Sequence, residues 1–160
     1  MYIKLDRKRN LVITRNRIIH RGDNLNRNIT FLIPNMVGDI DMSQACVYLS
    51  YIRPDGVADI VILERMAEKY NDDYYQYQTP VTSKLSRYPG DVCMWLHIFA
   101  GNPSNPMIAK SNETILRITE SKNMDDYIDD CQISLLTSCL MRAYSERNKH
   151  FRLHQGTSVL

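Results

Sequence analysis

Cysteine is scarce in this chain and badly spaced for metal or redox chemistry. Its four cysteines, Cys46, Cys93, Cys131 and Cys139, form no CxxC pair. Three of them stand at apolar-patterned positions, where a free thiol behaves as a small hydrophobe. No stretch approaches the roughly 18 apolar residues of a membrane span. The opening MYIKLDRKRN has no hydrophobic signal-peptide core either. These absences predict a soluble protein, made in a reducing cytoplasm, with reduced thiols and no membrane partner.

Catalytic signatures are missing too. There is no GxSxG, HExxH, P-loop or glycine-rich dinucleotide turn. The histidines, His20, His97, His150 and His154, lie far apart in sequence. The acidic cluster Asp125, Asp126, Asp129 and Asp130 lacks the glycine and terminal glutamate of an EF-hand loop. A hydrogen-bonded structural role suits His97, and an acidic helix start suits the aspartates. No catalytic residue, metal site or cofactor is expected.

Aromatic residues other than tyrosine are few, with one Trp and three Phe against ten Tyr. Tyrosine favours strands and interfaces where one end stays wet, which keeps a carbohydrate-binding module open as a reading. Net charge is only +2, yet Lys4, Arg7, Lys8, Arg9, Arg15, Arg17, Arg21 and Arg27 crowd the first 27 residues. Residues 1–10 are expected as a basic arm, with Arg7, Lys8 and Arg9 as candidate docking residues for an acidic surface. No DNA- or RNA-binding motif accompanies them, so nucleic acid is not an expected partner.

What is present is alternation. From Val92 to Phe99 the apolar residues occupy both faces of a period-two pattern, which predicts a central, well-covered strand. Trp95, Leu96 and Ile98 are assigned to its core. Further strands are expected over 11–14, 28–34, 45–53, 57–64, 74–78, 107–110 and 114–119. They are separated by turn chemistry such as Pro54-Asp55-Gly56 and Pro89-Gly90. Arg21-Gly22-Asp23 reads as a turn rather than an adhesion motif. The fold class expected is an all-β, immunoglobulin-like sandwich of about seven or eight strands over 11–120. Residues 121–160 are read as a linker, an amphipathic helix over about 130–149, and a tail. Ile133, Leu136, Leu140 and Ala143 recur at three/four spacing and form the candidate oligomerisation seam.

Three stretches carry a resemblance: YYQYQTPVTSKLSRYPGDVCMWLHI (74–98), KSNETILRITES (110–121) and DDYIDD (125–130). With VITR (12–15) and ACVYLSYIRPDG (45–56), the chain resembles the N-terminal domain of phage baseplate upper proteins over about 11–145. These are tail-fibre adaptors of phages that infect Gram-positive bacteria. The resemblance implies a sandwich docked on other virion proteins and a helix that forms a homotrimer. The family continues into a receptor-binding part, whereas this sequence ends at Leu160. An adaptor, head-fibre or decoration role in the virion is therefore expected, without enzymatic activity.

Overall fold

The chain divides into two units, Met1–Ser121 and Lys122–Leu160. The structure, a computed structural model, describes residues 1–25, 27–102 and 104–120. The helix expected over 130–149 and the seam residues Ile133, Leu136, Leu140 and Ala143 lie outside the described residues. Within them strand is the main regular structure, with almost no helix. In order come β1 (Tyr2–Leu5), β2 (Leu11–Arg15), β3 (Ile19–His20), β4 (Asn28–Pro34), β5 (Met36–Val37) and β6 (Ile40–Asp41). After a short 3-10 turn at Met42–Gln44 follow β7 (Cys46–Ile52), β8 (Ala58–Ile62), β9 (Glu64–Arg65) and β10 (Tyr74–Pro80). The long β11 (Gly90–Asn102), β12 (Asn105–Lys110) and β13 (Thr114–Thr119) complete the series.

Each of the eight stretches expected as strands forms one, and five short strands join them. One sheet runs β2-β1-β4-β10-β9, a second β3-β13-β11-β7-β8, and β5 with β6 makes a small third. The length of β11 lets it pair twice along one edge. β13 takes Gly90 to Met94 and β12 takes His97 to Asn102, while β7 runs along its other side. One continuous buried cluster draws on both large sheets, with Ile3, Phe31 and Tyr77 from the first and Leu49, Leu96 and Ile118 from the second. Tyr77 is buried with its ring, and its hydroxyl reaches the carbonyls of Met42 and Ala45 at 3.2 and 3.3 Å. That contact satisfies a polar atom that burial would otherwise penalise.

The basic arm is corrected by this arrangement. Residues 2–5 form β1, which pairs antiparallel with β2 and parallel with β4, and Ile3 and Leu5 are 0% and 1% exposed. Two inward apolar side chains over four residues are too short a run to show a period, and the flanking charges hide it. Lys4 points outward and lies over the Tyr74 ring at 4.5 Å.

The turns form as their residues dictate. Gly56 has φ +77°, and its N–H donates to the Arg53 carbonyl at 2.9 Å to close the β7–β8 hairpin. Arg53 is buried beneath this turn, where its guanidinium makes a two-point contact with Asp55 at 3.0 and 2.8 Å. Thr82 accepts the Leu85 N–H at 3.3 Å, capping a single helical turn ahead of β11.

Candidate functional site

Four side chains of β11, Val92, Met94, Leu96 and Ile98, enter the core and are at most 1% exposed. The alternate set, Cys93, Trp95, His97 and Phe99, points the other way and is half-buried. Leu96 and Ile98 thus lie in the core, but Trp95 does not. Trp95 has the opposite parity to both, so the sheet that covers them leaves Trp95 on the outer face. With both faces of β11 apolar, alternation alone could not say which one meets the second sheet.

The outer aromatic residues are organised by one another. The Trp95 indole N–H donates to His97 Nε2 at 2.7 Å, which requires a neutral imidazole with its proton on Nδ1. Burial, then the nearby Lys110 ammonium, holds the His97 pKa below its ordinary 6.5. The His97 ring stacks on Phe99 with centroids 6.2 Å apart and planes 15° from parallel, and Tyr48 meets Phe99 edge-on at 5.4 Å. Tyr48, Trp95, His97 and Phe99 thus pack as one group on the outer face. Across the ladder from Trp95, Ser50 is buried, and its hydroxyl has no hydrogen-bond partner among the described residues.

Isoleucines widen this apolar ground. Ile52 pairs in register with Cys93, Ile62 with Tyr48 and Ile60 with Ser50. On the opposite side of β11, Ile108 pairs with Phe99 and Ile115 with Cys93. All five are exposed, at 38% for Ile52, 65% for Ile60, 69% for Ile62, 54% for Ile108 and 58% for Ile115. On β8 the hydrophobic phase is inverted, since the isoleucines face out while Asp59 and Val61 are half-buried. Asp59 fixes that register. It accepts the Tyr51 hydroxyl at 3.0 Å and pairs with Lys84 at 2.5 Å. Burial, then Asp59, pushes the Tyr51 pKa up to about 12, while the Lys84 contact leads in holding the Asp59 carboxyl below its usual range.

None of this makes an activated nucleophile or a metal cage. The Cys93 thiol approaches Glu113 at 3.4 Å, and burial followed by that carboxylate pushes its pKa up, which keeps it protonated. Among the described residues no group of three or more His, Cys, Asp or Glu is placed to hold a metal ion. No described helix is long and apolar enough to cross a membrane.

The candidate docking residues Arg7, Lys8 and Arg9 are exposed in the β1–β2 turn, which belongs to the other large sheet from the aromatic row. Asp6 accepts the Lys8 and Asn10 N–H groups at 2.8 Å each, and Arg9 adopts φ +65° to complete the turn. Asn112 then ties the turn to the β12–β13 connection through the Arg9 and Lys8 carbonyls. A cavity of about 440 Å³ beside it is lined by Asp6 and Asp73 as well as Arg7 and Arg9, so its charge is mixed. The Arg-Gly-Asp triplet is likewise committed to its turn. Arg21 pairs with Glu120 at 3.0 Å and the Asp23 carboxylate accepts the His20 N–H at 2.9 Å.

No protein-family model matches the chain, and no curated protein matches it significantly.

Proposed function

We propose that this is a non-enzymatic assembly protein that works by protein–protein contact through the outer face of its six-stranded sheet. The observation that carries it is the row of exposed isoleucines flanking Trp95, His97 and Phe99. Monomeric proteins rarely leave a contiguous apolar patch beyond a few hundred Å² uncovered unless it serves a contact.

The particular setting we infer is a bacteriophage particle assembled in the host bacterial cytoplasm. There the protein is a virion structural component, an adaptor that attaches fibre or other components to the tail baseplate or capsid. The support is the likeness of the β7–β8 hairpin, β10 and β11 sequences to phage baseplate upper proteins. The finer fold that goes with it is an immunoglobulin-like sandwich of the two large sheets followed by a C-terminal helix. One buried cluster drawing on both sheets favours it. A homotrimer seam at Ile133, Leu136, Leu140 and Ala143 follows from the same likeness, and a head-fibre or decoration role on the capsid would use the same contacts. A carbohydrate-binding module is favoured less, because the Trp95 N–H and His97 Nε2 are bonded to each other instead of being free for sugar hydroxyls.

Crosslinking and mass spectrometry of purified particles from the source tests the reading. Crosslinks from Lys110, two residues beyond Ile108 on β12, to baseplate, tail or capsid proteins are expected. Absence of the protein from purified particles overturns the virion setting, and a specific hit on a glycan array favours the carbohydrate module.

A further inference from the structure

We propose that a second copy of this chain packs on the outer face of the six-stranded sheet, face to face about a two-fold axis running along β11. This rests on reading that face as a protein-contact surface, and is independent of the virion setting.

Size is the first argument. At their exposures the five isoleucines offer roughly 500 Å² of apolar surface, and the half-buried aromatic row brings the face toward the ~800 Å² per partner of a stable interface. Chemistry is the second. The aromatic row itself carries no charged side chain, and the β7–β8 isoleucines beside it are apolar. Charge borders the row on its other side, where Lys110 pairs in register with His97, Glu113 of the β12–β13 connection lies 3.4 Å from Cys93, and Asp91 and Arg117 pair at 3.3 Å. A nucleic acid or glycan would find few hydrogen-bonding groups there, whereas a second apolar sheet face would match it.

Self-complementarity is the third argument, and it selects a copy of the same chain. Isologous contacts require that a feature and its complement sit on opposite sides of the two-fold axis. On the β7–β8 side there is a hollow of about 320 Å³ lined by Tyr48, Ile60, His97 and Phe99. On the β12 side Ile108 projects at the level of Phe99. A two-fold axis along β11 lays the β12–β13 half of one copy over the β7–β8 half of the other. Ile108 then enters the partner's hollow, and the hollow receives Ile108 in return. Ile115 and Ile52 both pair with Cys93, so they face each other across the same axis. Trp95 and the unpartnered Ser50 hydroxyl come near the centre, where water would be excluded.

The fixed register of β8 is the fourth. A one-residue slip would turn Ile60 and Ile62 inward and remove their exposure. Asp59 prevents it through its bonds to Tyr51 and Lys84. The isoleucines are thus held out by the fold's own contacts.

The test measures the mass of the full-length protein by light scattering over a wide concentration range. Wild type is expected to show twice the mass of Ile60→Lys and of Ile108→Asp, each of which places a charge in the contact. Ile18→Asp, at an exposed isoleucine in the β2–β3 connection, is expected to leave the mass unchanged. Both face positions are more than half exposed, so the variants should retain their fold, which far-UV circular dichroism checks. Mixing Ile60→Lys with Ile108→Asp is expected to restore the doubled mass, since one contact then joins opposite charges and the other is native. Monomeric wild type at all concentrations overturns the proposal. So does a mass lowered by Leu136→Asp or Leu140→Asp but not by either face variant, and so does a mixture that stays at half mass. If monomeric wild type instead blue-shifts its Trp95 emission on neutral lipid vesicles or on another virion protein, the proposal falls and that occupant replaces it. Absence from virions would leave these masses untouched, so the two readings fail separately.

Discussion

The two faces of β11 are built from similar material and meet different surroundings. Val92, Met94, Leu96 and Ile98 are sealed in the core, while Cys93, Trp95, His97 and Phe99 lie half-buried on the far side of the same strand. On the inner face these side chains join one buried apolar cluster, from Leu49 on β7 to Leu116 on β13. On the outer face the neighbours are isoleucines in solvent, a histidine bound to a tryptophan, and a buried serine without a partner. The inner face therefore stabilises the single chain, and the outer face has stability still to gain from a partner.

The largest effect should separate the faces outright. Leu96→Ala removes a core side chain and is expected to lower stability by about 3–4 kcal/mol, within the range for deeply buried leucines. Chemical denaturation of wild type and variant measures it. A loss under about 1 kcal/mol would mean that the inner face can collapse around the cavity and is no better packed than the outer.

Trp95→Ala should cost less despite deleting more atoms. Only part of the indole leaves water on folding, so the expected loss is about 1–2 kcal/mol when measured in an Ile108→Asp background. In that background no second copy is expected to cover the ring. A loss equal to that of Leu96→Ala would break the comparison and return Trp95 to the core. Native emission should be intermediate in the monomer and bluer in the assembled wild type.

These two residues also mark what could be read in the sequence. The eight longer strands were legible because alternation and Gly, Pro or Asn turns are local properties of the chain. Four of the five further strands, β3, β5, β6 and β9, are two residues long. Such strands have no period, and they exist only because a partner lies alongside. β1 was obscured differently, by Lys4, Asp6, Arg7, Lys8 and Arg9 around just two inward residues. The candidate face was half legible. Its residues are visible as the second apolar set on β11, but their exposure depends on which side the other sheet occupies. β8 shows the same limit. Val57 to Glu64 reads as a strand, and nothing local says that Asp59, bonded to a tyrosine eight residues back and a lysine 25 residues on, would turn Ile60 and Ile62 outward.

A smaller effect sharpens the contrast at its centre. A buried hydroxyl without a partner costs on the order of 1–3 kcal/mol against a satisfied one, so Ser50→Ala should be neutral or stabilise by up to about 1 kcal/mol. A core-face truncation of comparable size, Val47→Ala, should destabilise instead. Thermal melts of the two variants side by side decide it. Clear destabilisation by Ser50→Ala would mean that the hydroxyl has a partner in solution.

The smallest effect concerns His97 and pH. Its folded pKa lies below 6.5, first through burial and then through the Lys110 ammonium on β12, which pairs with it in register. Above about pH 6.5 the imidazole is neutral in both the folded and unfolded chain, and it adds no pH dependence. As pH falls below that value, the unfolded chain takes up a proton that the folded chain resists, so stability declines. The decline ends once pH passes below the folded pKa, where both forms are charged. Protonation also removes the Nε2 lone pair that accepts the Trp95 N–H, so the same step should be visible in Trp95 emission. His97→Gln cannot titrate, and its stability should fall less steeply than that of wild type between neutral pH and the onset of carboxylate titration. The depressed carboxyls, Asp59 among them, act in the same sense but lower on the pH scale. They stabilise above their unfolded pKa near 3.8, and their contribution is lost only as pH falls through the lower folded values. The two windows therefore do not coincide. Denaturant titrations of wild type and His97→Gln across the weakly acidic range separate them. Parallel slopes would show that His97 is as solvated as an ordinary surface histidine, and that the outer face is more open than the Trp95–His97 contact implies.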